Sequence, residues 1–273
     1  MNKIVRGVTG LAIVAAVVGS AVWALNAGGK SNKETGFKGE LVNPNALTIG
    51  LEGTYVPFSY KDKDGNLTGY EVELAQEIAK QMGVKPVFVE TKFESLIAGL
   101  DANKYDVVMN NMGKTPAREE HYSFAENYLY SPAILIVKKG SDIKKLSDLD
   151  GKKSAQTTSS NYGQAAAKAG AEIVASPGFA ESLELVKNGK ADVTLNSDDS
   201  WSIYKKSNPK TELTAIETKD VDLTGAAPML SKKKTELTSE IDRAEKALRD
   251  NGTMKKLSEK YFDKDLTKNP DKK

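Results

Sequence analysis

The stretch ESLIAGLDANKYDVVMN at residues 94–110 recurs, one residue shorter, as ESLELVKNGKADVTLN at residues 181–196. Both copies run Glu-Ser-Leu, a helical segment, Lys-x-Asp-Val and an apolar strand that ends in Asn. Unrelated helix–turn–strand units can converge on such a pattern. The alternative is that the chain holds two related α/β lobes. Because ligands of open α/β sheets bind beyond the carboxyl ends of the strands, Asn110 and Asn196 would then face each other across a polar cleft.

Apolar, strand-like runs alternate with helical patterns around the first copy. Residues 47–51 and 86–89 are short and apolar, and residues 70–82 carry apolar side chains at every fourth position. This alternation is typical of an α/β protein whose mainly parallel sheets are covered on both faces. Apolar runs at 133–137 and 225–230 suit segments that cross between two lobes.

We therefore predict an α/β fold with two discontinuous lobes and a central cleft. The first lobe takes residues 41–133 and 226–266, the second takes residues 134–225, and residues 267–273 form a polar tail. The length of 273 residues is sufficient for two domains of ordinary size.

The N-terminus has the order of an export signal. Lys3 and Arg6 precede an uncharged, largely apolar segment from Gly7 to Gly29. Residues 1–27 are therefore predicted to be either a cleaved signal peptide or a retained membrane anchor, since about 20 apolar residues also suffice to span a bilayer. Residues 28–45 are predicted to form a flexible linker. We expect an extracytoplasmic protein that is not a lipoprotein, because the chain has no cysteine for lipid attachment.

The composition argues against several kinds of chemistry. Without Lys3 and Arg6, basic and acidic residues number 37 each, and this balance offers no electrostatic footprint for nucleic acid. The lack of cysteine and the single histidine, His121, argue against disulfides, zinc sites and a histidine-based catalytic triad. We expect no metal, no cofactor and no enzymatic activity.

Arg118 is a candidate ligand-binding residue because its position is unusual. Thr115 and Pro116 predict the start of a helix, which places Arg118 in a first turn where the helix dipole disfavours a cation. It is also the only arginine between the N-terminal segment and the C-terminal helix. Its planar guanidinium can bind a carboxylate with two hydrogen bonds. The alternative is an internal ion pair with Glu119, Glu120 or Glu126.

Polar groups of the second lobe could complete a site for a charged ligand. Asp198 and Asp199 follow the strand that ends at Asn196, where they could bind an ammonium group or cap the next helix. The turn QTTSSN at 156–161 could hold a carboxylate with its hydroxyls and helix-start amides, or simply cap its helix. Together with Arg118, these groups suit a small zwitterion such as an amino acid. The pocket could be walled by aromatic side chains of loops: Tyr55, Phe58 and Phe93.

Several motifs, in order, make the chain resemble the polar-amino-acid-binding proteins of ABC importers, solute-binding family 3, over about residues 46–266. They are EGTYVPF (52–58), GYEVELA (69–75), KYDVV (104–108), TPxR (115–118) and DNGTMKKLSEKYF (250–262). Asn110-Asn-Met and Leu195-Asn-Ser are most similar to the cystine-binding branch of that family.

The resemblance implies a type II periplasmic-binding-protein fold that closes on an amino acid, cystine or another polar one, and delivers it to an ABC permease in the cytoplasmic membrane. We expect a monomer. The alternative is a surface adhesin of the same fold, or, less favoured, a dehydratase-like enzyme.

The resemblance also implies roles for individual residues. It implies carboxylate binding by Arg118, Ser159 and Ser160, an aromatic lid, and further contacts from strand ends: Tyr55, Phe93, Asn110 and Asn111. Gly113 stands where a hydroxyl residue is common, so only its backbone can contribute. Ser197 stands where an ammonium-binding Asp is common, so either Asp198 or Glu52 would have to take that role.

Overall fold

The computed structural model describes residues 36–221 and 225–270. The predicted signal or anchor at 1–27 and the first part of the predicted linker lie outside the described residues, as do the last three residues of the polar tail. Within the two described ranges, no helix combines the length and the apolar character needed to cross a membrane.

Short strands and helices alternate through the described ranges. The strands are β1 (Ala46–Leu51), β2 (Tyr60–Lys61), β3 (Leu67–Thr68), β4 (Lys85–Glu90), β5 (Val107–Val108), β6 (Tyr122–Phe124), β7 (Ala133–Lys138), β8 (Lys153–Gln156), β9 (Glu172–Ala175), β10 (Val193–Ser197), β11 (Leu213–Glu217) and β12 (Met229–Ser231). The α-helices are α1 (Tyr70–Gln81), α2 (Phe93–Asp101), α3 (Pro116–Glu119), α4 (Asn161–Lys168), α5 (Phe179–Lys187), α6 (Asp198–Ser207), α7 (Thr235–Asp250) and α8 (Thr253–Phe262).

One five-stranded sheet has the order β4-β1-β5-β12-β6. We call this sheet and its helices α1, α2, α3, α7 and α8 lobe 1. Strand β1 pairs in parallel with β4 and β5, whereas β12 pairs antiparallel with β5 and β6. The central strand β1 is buried along its whole length, as expected where helices cover both faces. Apolar residues of α1 and α7, including Leu74, Ile78, Leu237 and Ile241, pack in the same core.

The second five-stranded sheet has the order β11-β7-β10-β8-β9. We call this sheet and its helices α4, α5 and α6 lobe 2. The apolar strand β7 pairs antiparallel with β10 and β11, and β8 pairs in parallel with β9 and β10. The side chains of β7 contribute to two hydrophobic cores, one on each face of the sheet. Ile136 lies in one core and Leu135 in the other.

The two copies of the repeat make the same local contacts in their respective lobes. In lobe 1 the backbone amide of Asp106 donates to the carbonyl of Thr48, and the Asp106 carboxylate accepts from the Thr48 amide, both at 2.8 Å. In lobe 2 Asp192 makes the same two bonds with Lys153, again at 2.8 Å. Each copy is therefore joined to its sheet in the same way. Each copy also ends in an asparagine, Asn110 or Asn196, at the edge of the sheet where the lobes face each other.

Candidate ligand-binding cleft

The two lobes enclose a cavity of about 730 Å³ at the carboxyl ends of their parallel strands. This volume lies within the usual range for small-molecule sites. Six of the expected ligand contacts line it, five from lobe 1 and Ser160 from lobe 2, and so does Asn196 at the end of β10. The five are Glu52, Tyr55, Phe93, Asn110 and Asn111.

A smaller cavity of about 20 Å³ adjoins the large one. Asn111 and Tyr162 line both cavities, and Gly113 and Ser197 line the smaller one from opposite lobes. Since a single water needs roughly 10–15 Å³ by this measure, the smaller cavity has room for a group the size of an ammonium. We call this end of the cleft the inner end.

Arg118 is held close to the inner end. Helix α3 starts at Pro116, and the Thr115 hydroxyl accepts a hydrogen bond from the Arg118 amide at 3.3 Å, as the sequence predicts. The Arg118 side chain is only 8% exposed. Its Nη1 donates to the carbonyl of Gly113 at 2.8 Å, while its Nη2 has no hydrogen-bond partner among the described residues. Gly113 therefore contributes through its backbone.

The alternative of an internal ion pair for Arg118 finds no support in the described ranges. None of the ion pairs there involves Arg118, and the neighbouring Glu119 pairs with Lys114 at 3.8 Å. Burial lowers the pKa of Arg118 to about 10, so the guanidinium is still charged at neutral pH. A buried charge without a counter-ion is costly, and an anionic ligand would supply that counter-ion.

The structure separates the two adjacent aspartates. Asp198 does not line either cavity; its carboxylate pairs with Lys264 at 3.1 Å on the outside of the cleft. Asp199 is fully buried, because the first turn of α6 points it inward. One of its oxygens accepts bonds from the Ser197 hydroxyl and from the Ser200 amide, and its Oδ2 has no partner among the described residues.

Asp199 therefore contacts Ser197 from the protein interior. Ser197 occupies the position where the family resemblance leads us to expect an aspartate. The Ser197 hydroxyl donates a hydrogen bond to Asp199, which leaves the oxygen lone pairs of Ser197 available as acceptors. Asn111 of lobe 1 already uses one of them at 3.4 Å. Burial raises the pKa of Asp199 to about 6, so it is mostly ionised at neutral pH. The inner end therefore has an anionic side in lobe 2.

Tyr55 joins the two lobes directly. Its hydroxyl lies 3.0 Å from Oδ1 of Asn196 and 2.9 Å from Oγ of Ser200. Its ring packs against Phe58 of its own lobe at 4.7 Å and against Phe179 of lobe 2 at 6.5 Å, measured between ring centroids. Burial raises the pKa of Tyr55, so the hydroxyl keeps its proton and can donate.

The strand ends of lobe 1 are rigidly held. The Glu52 amide donates to Oδ1 of Asn110 at 2.8 Å, and Nδ2 of Asn110 donates back to Oε2 of Glu52 at 2.7 Å. Asn111 adopts a left-handed conformation with φ of 48°. Its amide donates to Oε1 of the buried Glu71 at 2.5 Å. These bonds fix the direction in which the Glu52 and Asn111 side chains enter the cleft.

The two serines of the turn before α4, Ser159 and Ser160, differ in whether they face the cavity. The Ser160 hydroxyl caps α4 by accepting a bond from the Gly163 amide at 2.9 Å, and Ser160 also lines the large cavity. Ser159 is exposed and lines neither cavity, since the helix starts one residue too late to turn it inward. Thr157, two residues earlier, lines the cavity instead.

Several lining residues were not singled out in the sequence as ligand-binding. Tyr162, Phe179, Glu181 and Lys92 all line the large cavity. Lys92 and Glu181 each sit at the start of a helix that follows a strand, the same place that pointed to Phe93 and Asp198. The segment that follows each parallel strand was therefore the sequence signal available. Applying this rule to every strand would have identified Lys92 and Glu181 as candidates.

These features define a two-lobed solute-binding protein. The model of the bacterial extracellular solute-binding proteins, family 3, matches residues 47–264, and the chain belongs to this family. The type II periplasmic-binding-protein fold predicted from the sequence is confirmed by solved structures of the same architecture.

Three known proteins illustrate the likeness. The L-cystine-binding protein TcyA of Bacillus subtilis is 40% identical over 225 residues, which cover 81% of this chain and 83% of the relative. The unliganded open L-cystine solute receptor of Neisseria gonorrhoeae is 39% identical, with a TM-score of 0.58, and covers 82% of this chain and 95% of its own. An ancestral arginine-binding protein bound to arginine is 32% identical, with a TM-score of 0.74, and covers 80% and 98%.

Proposed function

We propose that this protein captures an amino acid outside the cytoplasm and delivers it to the permease of an ABC importer. The family is extracellular and solute-binding, and similar proteins are named for L-cystine. Cystine is therefore the ligand we favour. Eight residues remain proposed ligand contacts: Arg118, Tyr55, Phe93, Asn110, Asn111, Gly113, Ser160 and Glu52.

One observation supports this proposal most directly. Behind the inner end, lobe 1 holds the buried Arg118 guanidinium with an unpartnered Nη2, and lobe 2 holds the buried Asp199 carboxylate with an unpartnered Oδ2, among the residues described. Neither residue lines a cavity itself, but each is bonded to one that lines the smaller cavity, Arg118 to Gly113 and Asp199 to Ser197. An α-amino acid carries the two complementary charges on one carbon. We assign the ligand carboxylate to Arg118 and its ammonium to Ser197 and Asp199, which replaces the expected role of Asp198.

The same arrangement favours a closing motion. Tyr55 with Asn196, and Asn111 with Ser197, are contacts between lobes that an open cleft would lose. The chain is more similar in overall structure to the arginine-bound ancestral protein than to the open cystine receptor, although its sequence is more similar to that of the cystine receptor. A zwitterion that bridges both lobes makes contacts in the closed state that it cannot make in the open state. This difference in contacts is what favours closure.

Isothermal titration calorimetry with cystine and other polar amino acids tests the proposal. We expect one saturable site, with binding that weakens sharply when either the α-ammonium or the α-carboxylate is removed from the ligand. Small-angle scattering should show a smaller radius of gyration with the amino acid than with the des-amino analogue. If neither cystine nor any other amino acid binds, the proposed function is wrong.

The remaining expectations are part of the same proposal. We propose a monomer without enzymatic activity or lipid anchor that does not bind nucleic acid. One solved structure of the same fold is an ancestral amino-acid-binding protein described as a precursor of cyclohexadienyl dehydratase. A dehydratase assay on the purified protein is therefore the relevant check, and turnover would overturn the proposal of a pure receptor.

A further inference from the structure

Helix α6 belongs to lobe 2 but contacts both lobes. Its Trp201 and Tyr204 pack in a core of lobe 2, whereas Ile203 packs against the core of lobe 1. Ile203 also lines the large cavity, as do Ser207 at the end of the helix and the following Asn208. Helix α6 therefore forms one side wall of the cleft and closes it against lobe 1.

Helix α6 begins at the segment that connects the lobes, residues 125–132 between β6 and β7. The Asp198 amide donates to the carbonyl of Pro132 at 2.9 Å, and the Asp199 amide donates to Oγ of Ser131 at 3.0 Å. The helix has 10 residues and is therefore about 15 Å long. Because its far end lines the cavity, a rotation of lobe 2 that opens the cleft would displace that end most.

Two ion pairs join α6 to the residues that follow α8 in lobe 1. At the start of α6, Asp198 pairs with Lys264 at 3.1 Å, and in its last turn Lys206 pairs with Asp263 at 2.6 Å. In the ranges that the structure describes, no other ion pair connects the lobes. Each lobe supplies one charge of each sign, in opposite order, so only one register of α6 satisfies both pairs.

The residues that follow α8 are fixed on lobe 1. The Ser258 hydroxyl donates to the carbonyl of Lys264 and accepts from the Leu266 amide, both at 2.8 Å. The carbonyl of Leu266 accepts from the Tyr130 amide at 2.8 Å. Asp263 and Lys264 therefore cannot follow α6 when lobe 2 moves, and the pair at the far end of α6 should break first.

Asp263 occupies a position that its own helix disfavours. It follows α8 in a left-handed conformation with φ of 58°, where glycine or asparagine is usual. A carboxylate at the C-terminal end of a helix is also opposed by the helix dipole. Among the described residues, its side chain is bonded to Lys206 alone. The contribution of this carboxylate is therefore its contact with the other lobe.

We propose that α6 and residues 263–264 form a side latch, in which the Asp198–Lys264 pair persists at the connection and the Lys206–Asp263 pair forms only when the cleft closes. Lys206 and Asp263 line neither cavity. The latch thus stabilises the closed state without contacting the ligand, and it raises the apparent affinity by raising the closed fraction of the free protein. This inference rests on the closing motion of the proposed function.

The test is calorimetry with cystine on the full chain, in the parent, Lys206→Met, Asp263→Asn and the double variant. Each single variant should weaken binding roughly 1.5- to 5-fold, as loss of an exposed ion pair predicts. The double variant should bind no more weakly than the weaker single variant, because all three lose the same contact. High salt should narrow the difference between the parent and Asp263→Asn, since it screens exposed charges.

Stability and shape of the ligand-free protein provide independent measurements. Asp263→Asn should unfold at the same temperature as the parent or higher, because asparagine suits the left-handed cap and removes the charge that the dipole opposes. A merely structural role would lower stability and affinity together. Small-angle scattering should give both single variants a larger radius of gyration than the parent.

Two matched controls alter exposed charges that stay within one lobe. Lys205 is bonded to the carbonyl of Pro209, and Asp250 is paired with Lys246. Lys205→Met and Asp250→Asn should therefore leave affinity and radius of gyration unchanged.

The outcomes separate the latch from the proposed function. If cystine binds the parent, Lys206→Met and Asp263→Asn equally well, the latch is refuted although the protein is still a receptor. Additive losses in the double variant would refute the pairing of these two residues. If no amino acid binds, the proposed function is wrong, and the scattering of the ligand-free proteins still decides the latch, because an unchanged radius of gyration would overturn it.

Discussion

The Tyr55 hydroxyl lies 3.0 Å from Oδ1 of Asn196, so a side chain of lobe 1 is bonded to the strand end of lobe 2. The bond joins the first aromatic loop of the chain to the second copy of the sequence repeat. Because the Tyr55 ring also lines the large cavity, the residue is both a wall of the site and a contact between the lobes. Ligand capture and lobe closure should therefore be coupled at this position.

Tyr55→Phe tests this coupling. The ring packing against Phe58 is kept, but the bonds to Asn196 and Ser200 are lost. At about 0.5–1.5 kcal/mol for each of the two bonds, we expect ligand affinity to fall roughly 5- to 150-fold. Scattering should show less complete closure at saturating ligand. Tyr60→Phe, in strand β2 outside the cleft, is the control, and equal affinity of the two variants would contradict the coupling.

Arg118→Lys should lose most ligand affinity while the fold survives. A lysine keeps the charge but cannot form two parallel bonds with a carboxylate, and such a loss costs about 1.5–3 kcal/mol, or roughly 10- to 150-fold in Kd. Calorimetry measures the affinity, and thermal unfolding without ligand checks the fold. Arg243→Lys alters an exposed arginine that pairs with Glu240 and should change neither quantity. Unchanged affinity in Arg118→Lys would remove Arg118 from the site.

Asp199→Asn and Asp198→Asn should behave differently, although the residues are adjacent. We expect Asp199→Asn to weaken amino-acid binding at least 10-fold and to leave binding of a des-amino analogue unchanged, because only the ammonium contact is lost. Asp198→Asn removes a partly exposed ion pair with Lys264, usually worth about 0–1 kcal/mol, and should affect binding little. The reverse ranking would restore Asp198 as the ammonium-binding residue.

Glu71 should make the stability of the protein depend on pH. Burial raises its pKa from 4.5 to about 7. Between these values the folded state holds a proton that the unfolded state has released, so the free energy of unfolding should fall as the pH rises from about 5 to 8. A shift of this size corresponds to on the order of 3 kcal/mol.

Glu71→Gln isolates this contribution. Glutamine can keep the acceptor that Asn111 and Tyr128 use and cannot ionise. Chemical denaturation at pH 5 and pH 8 should therefore show a smaller loss of stability than in the parent. Glu77→Gln, on the outer face of the same helix, should leave the parent slope unchanged. Some slope should persist in Glu71→Gln, because burial also raises the pKa of Asp199 and Glu245.

Lys234→Met should destabilise lobe 1 strongly. Lys234 and Asp106 form a buried ion pair at 2.7 Å, and removing Lys234 leaves the Asp106 carboxylate buried without its counter-ion. The expected cost is about 3–5 kcal/mol. The exposed pair Lys246–Asp250 is the matched control, and Lys246→Met should cost less than about 0.5 kcal/mol. Similar unfolding midpoints for the two variants would contradict the prediction.

The fold was accessible from the sequence because its signals are periodic and repeated. The copies at 94–110 and 181–196 end in the strands that face the cleft, and the apolar run at 133–137 is the strand β7. The sequence also singled out Arg118, because a cation in a first helical turn conflicts with the helix dipole and needs a compensating reason, and its role in ligand binding stays a prediction. In both cases a local rule pointed to a feature of the whole fold.

The details of the site were less accessible because they depend on single-residue register. Whether Asp198 or Asp199 faces inward is decided by where α6 begins relative to β10, and sequence patterns locate helix ends only to within a few residues. Ser159 and Ser160 pose the same problem at α4. Glu181 was assigned to the helix of the repeat, and only the structure shows that it lines the large cavity together with Glu52.

The position of β12 in the lobe 1 sheet governs the order in which the protein can be assembled. Lobe 2 draws its sheet from one uninterrupted segment, β7 to β11, whereas the lobe 1 sheet lacks its fourth strand until residues 229–231 are available. Until then the edge of β5 has open hydrogen-bonding groups, and Lys234 is not there to neutralise Asp106. The half of the molecule that is synthesised first is thus the last to become complete, and a nascent chain interrupted before β12 would carry a finished lobe 2 beside an unfinished lobe 1.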